Sequence, residues 1–308
     1  MSIRAIGGWV AASVLTSSMA FAQSPPPSTD IFLAPLATTR SGKLTVGTPV
    51  NVTHRPGYDN QPSFTADGRA MLFTSVGGEG QADIYRYDLR SKKTTRLTTT
   101  PESEYSATVY GSGSRFSVIR VEADSTQRLW SFQLDGSDPQ LIFPEIKPVG
   151  YHAWVDSTTL ALFILGNPNT LLLADIRSGR ADTVARNVGR SLVPLPSGGG
   201  FSFTQRMPDS TWVLTAVDVR RTRGGRHTMV MPVARMAPGA DYVAWYAPAQ
   251  AISGSGSKLL LWTRERGPLR WADLADLSRH RIRQISRVAI SPDRRWLAIV
   301  AEPAAASR

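Results

Sequence analysis

The chain has 308 residues, 42% of them hydrophobic, no cysteine, and a formal net charge of +11. That length supports a large packed core, and the missing cysteines exclude a disulfide framework, thiol catalysis, thiolate metal sites and the lipid-bearing cysteine of a lipoprotein. Only five of the 35 basic residues are lysine and the basic residues are scattered, so the charge leaves an anionic partner open without forming a nucleic-acid footprint.

Residues 1–22 have the layout of a secretory signal: Arg4, an apolar stretch from Ala5 to Leu15, and the small-residue site Ala20-Phe21-Ala22. Gly7, Gly8, Ser13 and Thr16 interrupt the apolar stretch, which is too short and broken for a membrane span, and no later segment approaches one.

The next signal is a repeat. From Tyr58 the chain reads YDNQPSFTADGRAMLFTS, then QADIYRYDL, then KKTTRLTTT. This predicts a strand, a hairpin turn at Asp67-Gly68, and three further strands, because Gly supplies the positive φ that a tight hairpin demands. The apolar residue just before that turn recurs as Phe64, Val109, Trp154, Leu195, Trp245 and Ile290, at spacings of 45, 45, 41, 50 and 45 residues. Third strands follow in register over Asp83–Leu89, Gln127–Leu134, Thr170–Ile176, Trp212–Val219 and Lys258–Glu265, with fourth strands near Thr94, Gln140, Asp182, Thr228 and Arg270. A period of 40 to 50 residues holding several short strands is the signature of propeller blades. After Ile290 only one further strand remains, so the last unit is two strands short. DIFLAPL from Asp30 and TPVNVTHRPG from Thr48 supply the missing pair, closing the ring with a blade shared between the two ends.

Ser291-Pro292-Asp293, followed by Arg294 where a glycine is usual, resembles the SPDG element of TolB-like (WD40-like) repeats. Thr65-Ala66-Asp67-Gly68, Asp83-Ile84-Tyr85 and Arg96-Leu97-Thr98 resemble their turn, DIY and RLT elements. The resemblance implies an all-β, six-bladed propeller of four-stranded antiparallel blades around a central channel, and no particular chemistry. The expected organisation is a signal peptide at 1–22, a linker at 23–29, the propeller at 30–303 and a tail at 304–308, in a monomeric periplasmic or secreted protein.

In such a ring, the residues just before each marker line one mouth of the channel. They include Asp59, Asn60 and Gln61; Glu104 and Tyr105; Tyr151 and His152; Arg190; Asp241 and Tyr242; and Arg287. Asp59, Asn60, Glu104, Tyr105, Tyr151, His152, Arg190, Asp241 and Arg287 form the candidate set for holding an envelope protein segment or a small anionic ligand. No G-x-S-x-G, Walker-type or dinucleotide motif is present, so the chain reads as a binding module with no catalytic residue, cofactor or resident metal. The alternative is a metal-assisted lyase or hydrolase acting on an acidic glycan, with His152 as ligand or base and Arg190 or Arg287 holding a carboxylate. His54 and His280 would complete its donors. A third reading makes the basic rim at Arg221, Arg223 and Arg226 a surface for acidic envelope components. The runs Gly198-Gly199-Gly200 and Ser253–Ser257 read as hairpin turns, and the tryptophans as fillers of the wedge between blades.

Overall fold

The computed structural model describes residues 27–77, 80–222 and 225–302. The expected signal peptide, the start of the linker, the tail and Arg223 lie outside them. The described residues fold into six antiparallel sheets, with three short 3-10 turns and no α-helix. No helix among them is long and apolar enough to cross a membrane.

Each sheet is one blade, numbered here in chain order and beginning with its inner strand. Blade 1 is built from Tyr58–Phe64, Ala70–Val76, Ala82–Asp88 and Thr94–Arg96. Blade 2 comprises Ser103–Tyr110, Arg115–Val121, Gln127–Gln133 and Gln140–Leu141. Blade 3 comprises Val149–Trp154, Thr159–Ile164, Thr170–Asp175 and Ala181–Arg186. Blade 4 comprises Val188–Pro194, Gly200–Arg206, Trp212–Thr222 and Gly225–Arg235, and blade 5 comprises Val243–Ala247, Gln250–Ser255, Lys258–Thr263 and Trp271–Asp276.

Blade 6 joins the two ends of the sequence. Arg283–Ile290 pairs with Trp296–Glu302, which pairs with Asp30–Thr38 from Asp30↔Ala301 to Pro35↔Trp296. Leu44–Val46 and Val50–Asn51 share the outer position against Asp30–Thr38. The predicted shared blade is therefore present. Asp30–Thr38 and Trp296–Glu302 are thereby paired on both sides, which removes two long strand edges as sites for unwanted strand addition.

Packing explains the strand chemistry. Middle strands are buried on both faces: Ala70–Val76 reads AMLFTSV with every residue buried, and Leu160, Ala161, Leu162 and Phe163 are likewise inside. Apolar clusters fill the wedges between neighbouring blades, for example Leu72 and Ile84 of blade 1 against Phe116, Val118 and Phe132 of blade 2. The turn of blade 1 places Gly68 at φ +67, with its N–H bonded to the Thr65 carbonyl and the Thr65 hydroxyl donating to Asp67 at 2.6 Å. Blade 6 makes the same turn with Ser291 and Asp293 at 2.6 Å, and Arg294 takes the glycine's place at φ +60.

Three features differ from the sequence expectation. The outer hairpin of blade 4 extends for eleven residues on each strand, beyond the predicted Val219, and accounts for the 50-residue spacing there. Of the second glycine-rich run, only Gly256 and Ser257 turn; Ser253, Gly254 and Ser255 lie in a strand. Gly254 is needed there because blade 6 comes too close for a side chain: a Cβ would stand 2.2 Å from Ile285 Cγ2. Finally, Trp154 and Trp262 are buried as expected, but Trp212, at the start of the third strand of blade 4, remains 39% exposed.

Candidate functional site

All six inner strands border one axial cavity of about 450 Å³. Each inner strand carries a register shift in its pairing, and in five blades it sits close to the mouth: Asn60/Ser63, Tyr105/Thr108, Val149/Tyr151, Val188/Leu192 and Arg283/Arg287. A bulge adds a residue and re-aims the side chains that follow it, so strict alternation fails at this point. Gln61 and Ser106, both at φ +58, occupy equivalent bulges 45 residues apart.

The bulges sort the predicted site residues into two groups. Asp59, Asn60, Glu104 and Tyr105 do not line the cavity. Asp59 is buried opposite Ser75 and accepts both Arg55 Nε at 3.0 Å and Arg55 Nη2 at 2.5 Å. Asn60 is buried, its Oδ1 accepting the Gln61 N–H at 2.7 Å. Glu104 is completely buried opposite Arg120, whose Nε donates to it at 3.0 Å, while the Thr100 hydroxyl donates at 2.5 Å. Burial pushes the Asp59 and Glu104 carboxyls upward, against the pull of their arginines. Tyr105 packs against the Ile119 and Leu129 cluster. These four were expected at the channel, but the extra bulge residue leaves them facing the interior of their blades.

Asp241 is exposed and borders an adjoining pocket of about 160 Å³, together with Arg190, Tyr242 and Trp212. It therefore stands beside the channel and not in it. Gln61, which does line the channel, links blades 1 and 2 by accepting from the Thr74 hydroxyl at 2.8 Å and the Ser106 N–H at 2.7 Å.

His152 borders the channel but is 6% exposed. Its Nε2 lies 2.6 Å from Ser117 Oγ, and Ser117 also accepts from Trp154 Nε1 at 2.9 Å. A serine beside a histidine is the geometry of a nucleophile and its base. Here Ser117 has no exposed surface, and the pair ties blade 2 to blade 3. Burial drives the His152 pKa down to about 3, and the ring is neutral at physiological pH. His54 and His280 lie on other connections, and among the described residues no three histidine, aspartate or glutamate side chains gather as a metal site.

Tyr151, Arg190 and Arg287 do meet at the channel mouth, with Tyr242 among them. The Arg287 guanidinium lies 3.7 Å from the Tyr242 ring centroid and 5.5 Å from that of Tyr151. Such stacking stabilises a partly desolvated cation by about 1 to 2 kcal/mol. The Tyr151 and Tyr242 phenols are close enough to shift one another's acidity. Burial raises Tyr242 and holds Tyr58, beside them, at about 12. Burial also works upward on Tyr151, but the Arg287 charge, the Tyr242 phenol and Arg190 outweigh it, and its phenol falls below the ordinary value. Among the described residues, neither Arg190 nor Arg287 has a carboxylate within ion-pair distance, whereas Arg55, Arg96, Arg115, Arg120 and Arg128 each have one. Tyr58 is the residue of this cluster that sequence reasoning missed. It precedes the bulge, so its position relative to the marker gave no sign of its place.

The architecture matches solved propellers. A putative TolB from Agrobacterium tumefaciens superposes with a TM-score of 0.66 over 89% of this chain and 98% of that one, at 16% identity. TolB from Acinetobacter baumannii gives 0.58 at 11% identity, over 89% of this chain and 64% of the longer relative. The fold is that of a TolB-like propeller. A gluconolactonase from Xanthomonas campestris, with a TM-score of 0.58 and 10% identity over 92% of this chain and 99% of that one, has a comparable architecture. At such identities the likeness is one of fold and assigns no ligand. No protein-family model matches the chain.

Proposed function

We propose that this chain is an exported, non-catalytic TolB-like propeller that holds the anionic group of a protein segment or small ligand at the channel mouth. The observation that carries the reading is the pair Arg190 and Arg287, two cations facing one cavity without a carboxylate partner. Arg287 is half-buried without a counter-ion among the described residues, a cost that a bound anion removes, and the exposed Arg190 adds a second positive charge beside it. Guanidinium groups also match the planar fork of a carboxylate or phosphate. Export rests on the signal-like sequence of residues 1–22. A non-catalytic role is supported by the burial of Ser117 and His152, an arrangement near the channel that resembles a nucleophile and its base.

The test is a titration of the full chain with a labelled acidic peptide and, separately, inorganic phosphate at low salt. Saturable binding that weakens with added salt is expected, with a loss of tenfold or more on substituting both Arg190→Ala and Arg287→Ala, about 1.4 kcal/mol or above. Equal binding by the double variant would overturn the assignment of the mouth.

A further inference from the structure

The outer strand of every blade leaves one edge without a strand partner, and proteins blunt such edges by keeping them short or charged. Five blades do so. Their outer strands run for six residues at most, and the two of that length carry Asp182, or Asp273 and Asp276. Gly225–Arg235 of blade 4 runs for eleven, pairs on one side only, and exposes every side chain from His227 to Pro232. Met229, Val230 and Met231 are 49%, 44% and 38% exposed, and no Asp, Glu, Lys or Arg stands between Arg226 and Arg235.

The free edge has a definite phase. Pro232 has no N–H to give its partner Thr215, so the two form the non-hydrogen-bonded kind of pair. Alternation along the ladder then turns the N–H groups of Arg226, Thr228 and Val230 outward. The two-residue loop between Thr222 and Gly225 sets the same phase, and the register runs unbroken from Gly225 to Pro232. Three outward N–H groups, and the carbonyls of the same residues and of Pro232, have no backbone partner among the described residues.

This strand complements itself. Laid antiparallel to a second copy about a two-fold axis at Met229, it sets Thr228 against the partner's Val230 and Arg226 against the partner's Pro232. All three outward N–H groups of each strand then meet a carbonyl. Met229 meets its own counterpart at a non-hydrogen-bonded pair, where side chains approach most closely, and Met231 lies beside the partner's His227. No two arginines are opposed, and Arg226 already has its counter-ion in Asp182 at 2.7 Å. An axis one residue nearer the loop would set Met231 and Pro232 against the partner's turn. One residue the other way, Arg226 would face Ala234, beyond the register shift at Pro232, and lose its acceptor.

We propose that Gly225–Arg235 is a pairing edge for a second copy of this chain, joined strand to strand about a two-fold axis at Met229. The two blade 4 sheets become one continuous sheet, and Met229, Val230 and Met231 leave water at the seam. The chain thus departs from the monomer its sequence suggests. This pairing is independent of the anion site.

The absence of cysteine supplies a clean test, because any disulfide in a single-cysteine variant joins two chains. Sedimentation of the full chain should show a mass rising from one chain toward two between about 10 and 300 μM, the range of a weak interface. Met229→Cys should cross-link readily on mild oxidation, since its Cα atoms would lie about 4.5 Å apart, within disulfide reach. Met231→Cys, on the same face, should not, because its two copies would stand about 13 Å apart along the strands at 3.3 Å per residue. Met229→Glu opposes two like charges at the axis and should weaken the dimer tenfold or more, with the melting temperature of the single chain unchanged. Thr228→Pro, which removes an outward N–H and no bond within the blade, should do the same. A mass of one chain throughout overturns the proposal. So does a dimer that Met229→Glu and Thr228→Pro leave intact, or one in which Met231→Cys cross-links as fast as Met229→Cys.

Discussion

The two sides of the channel mouth use the charged residues at the start of their inner strands in opposite ways. On the side of blades 1 and 2, the acidic residues Asp59 and Glu104 are buried and matched with Arg55 and Arg120, and their charges are spent inside the protein. On the side of blades 3, 4 and 6, Tyr151, Arg190 and Arg287 face the cavity, and the two cations have no acidic partner among the described residues. The contrast shows that charge at a propeller mouth is informative only after its counter-ions have been located. A charge already neutralised holds the ring together, and a charge left open is available to something else.

Three substitutions or titrations would break or sharpen this contrast. The largest effect belongs to the closed side. Glu104→Ala leaves Arg120, which is 6% exposed, with only the longer Glu102 contact at 3.7 Å, and should cost about 3 kcal/mol in chemical denaturation, in the range for breaking a buried pair. Anion binding by the folded variant should be unchanged; a loss of binding without a loss of stability would reverse the two roles.

His152 stands where the two sides meet and gives the next effect. Its folded-state pKa of about 3 lies below the ordinary value near 6.5, so the unfolded chain takes up a proton first. Stability is therefore fully present above pH 6.5 and is lost as the pH falls from there toward 3, by about 2 kcal/mol at pH 5. Melting curves of the wild type and His152→Asn should diverge over that interval. Parallel curves would mean that the ring is not sealed between blades 2 and 3.

The smallest effect lies away from the mouth, at the turn of blade 6. Arg294 holds a left-handed conformation, φ +60, that Gly68 adopts in blade 1 without a Cβ penalty. Arg294→Gly should raise stability by about 0.5 to 1 kcal/mol and leave binding untouched. A drop in stability would show that the Arg294 guanidinium, 5.9 Å from the Tyr246 ring, contributes more than the backbone strain costs.

Much of the fold was legible because propeller blades repeat their turn chemistry. Asp67-Gly68 and Ser291-Pro292-Asp293 mark hairpins by residues whose side chains or φ values the turns require, and the six apolar markers inherit their spacing from those turns. The extended hairpin of blade 4 was not legible, because Arg220, Arg221 and Arg226 interrupt its apolar pattern. Arg220 pairs within its own strand with Asp218 at 2.8 Å, and the other two reach blade 3, where Arg221 meets Asp175 at 2.9 Å and Arg226 meets Asp182 at 2.7 Å. The site was half legible for a comparable reason. Sequence periodicity brought Tyr151, Arg190 and Arg287 to the mouth, but an extra residue in a bulge reverses the facing of a side chain and leaves no fixed mark in composition. Glu104 stands five residues before its marker and Arg287 three, and it is the latter position, shared with Gln61, Ser106, Tyr151 and Tyr242, that borders the channel.

The shared blade has a kinetic meaning as well as a structural one. The pairing of Pro35 with Trp296 joins residues at nearly opposite ends of the sequence. Contacts between such distant residues carry the largest loop-closure cost and form late. Five blades can assemble from neighbouring segments as an open arc, while the sixth waits for both ends. Until that clasp shuts, the six inner strands do not surround a common axis, so the channel comes into being in the final step of folding.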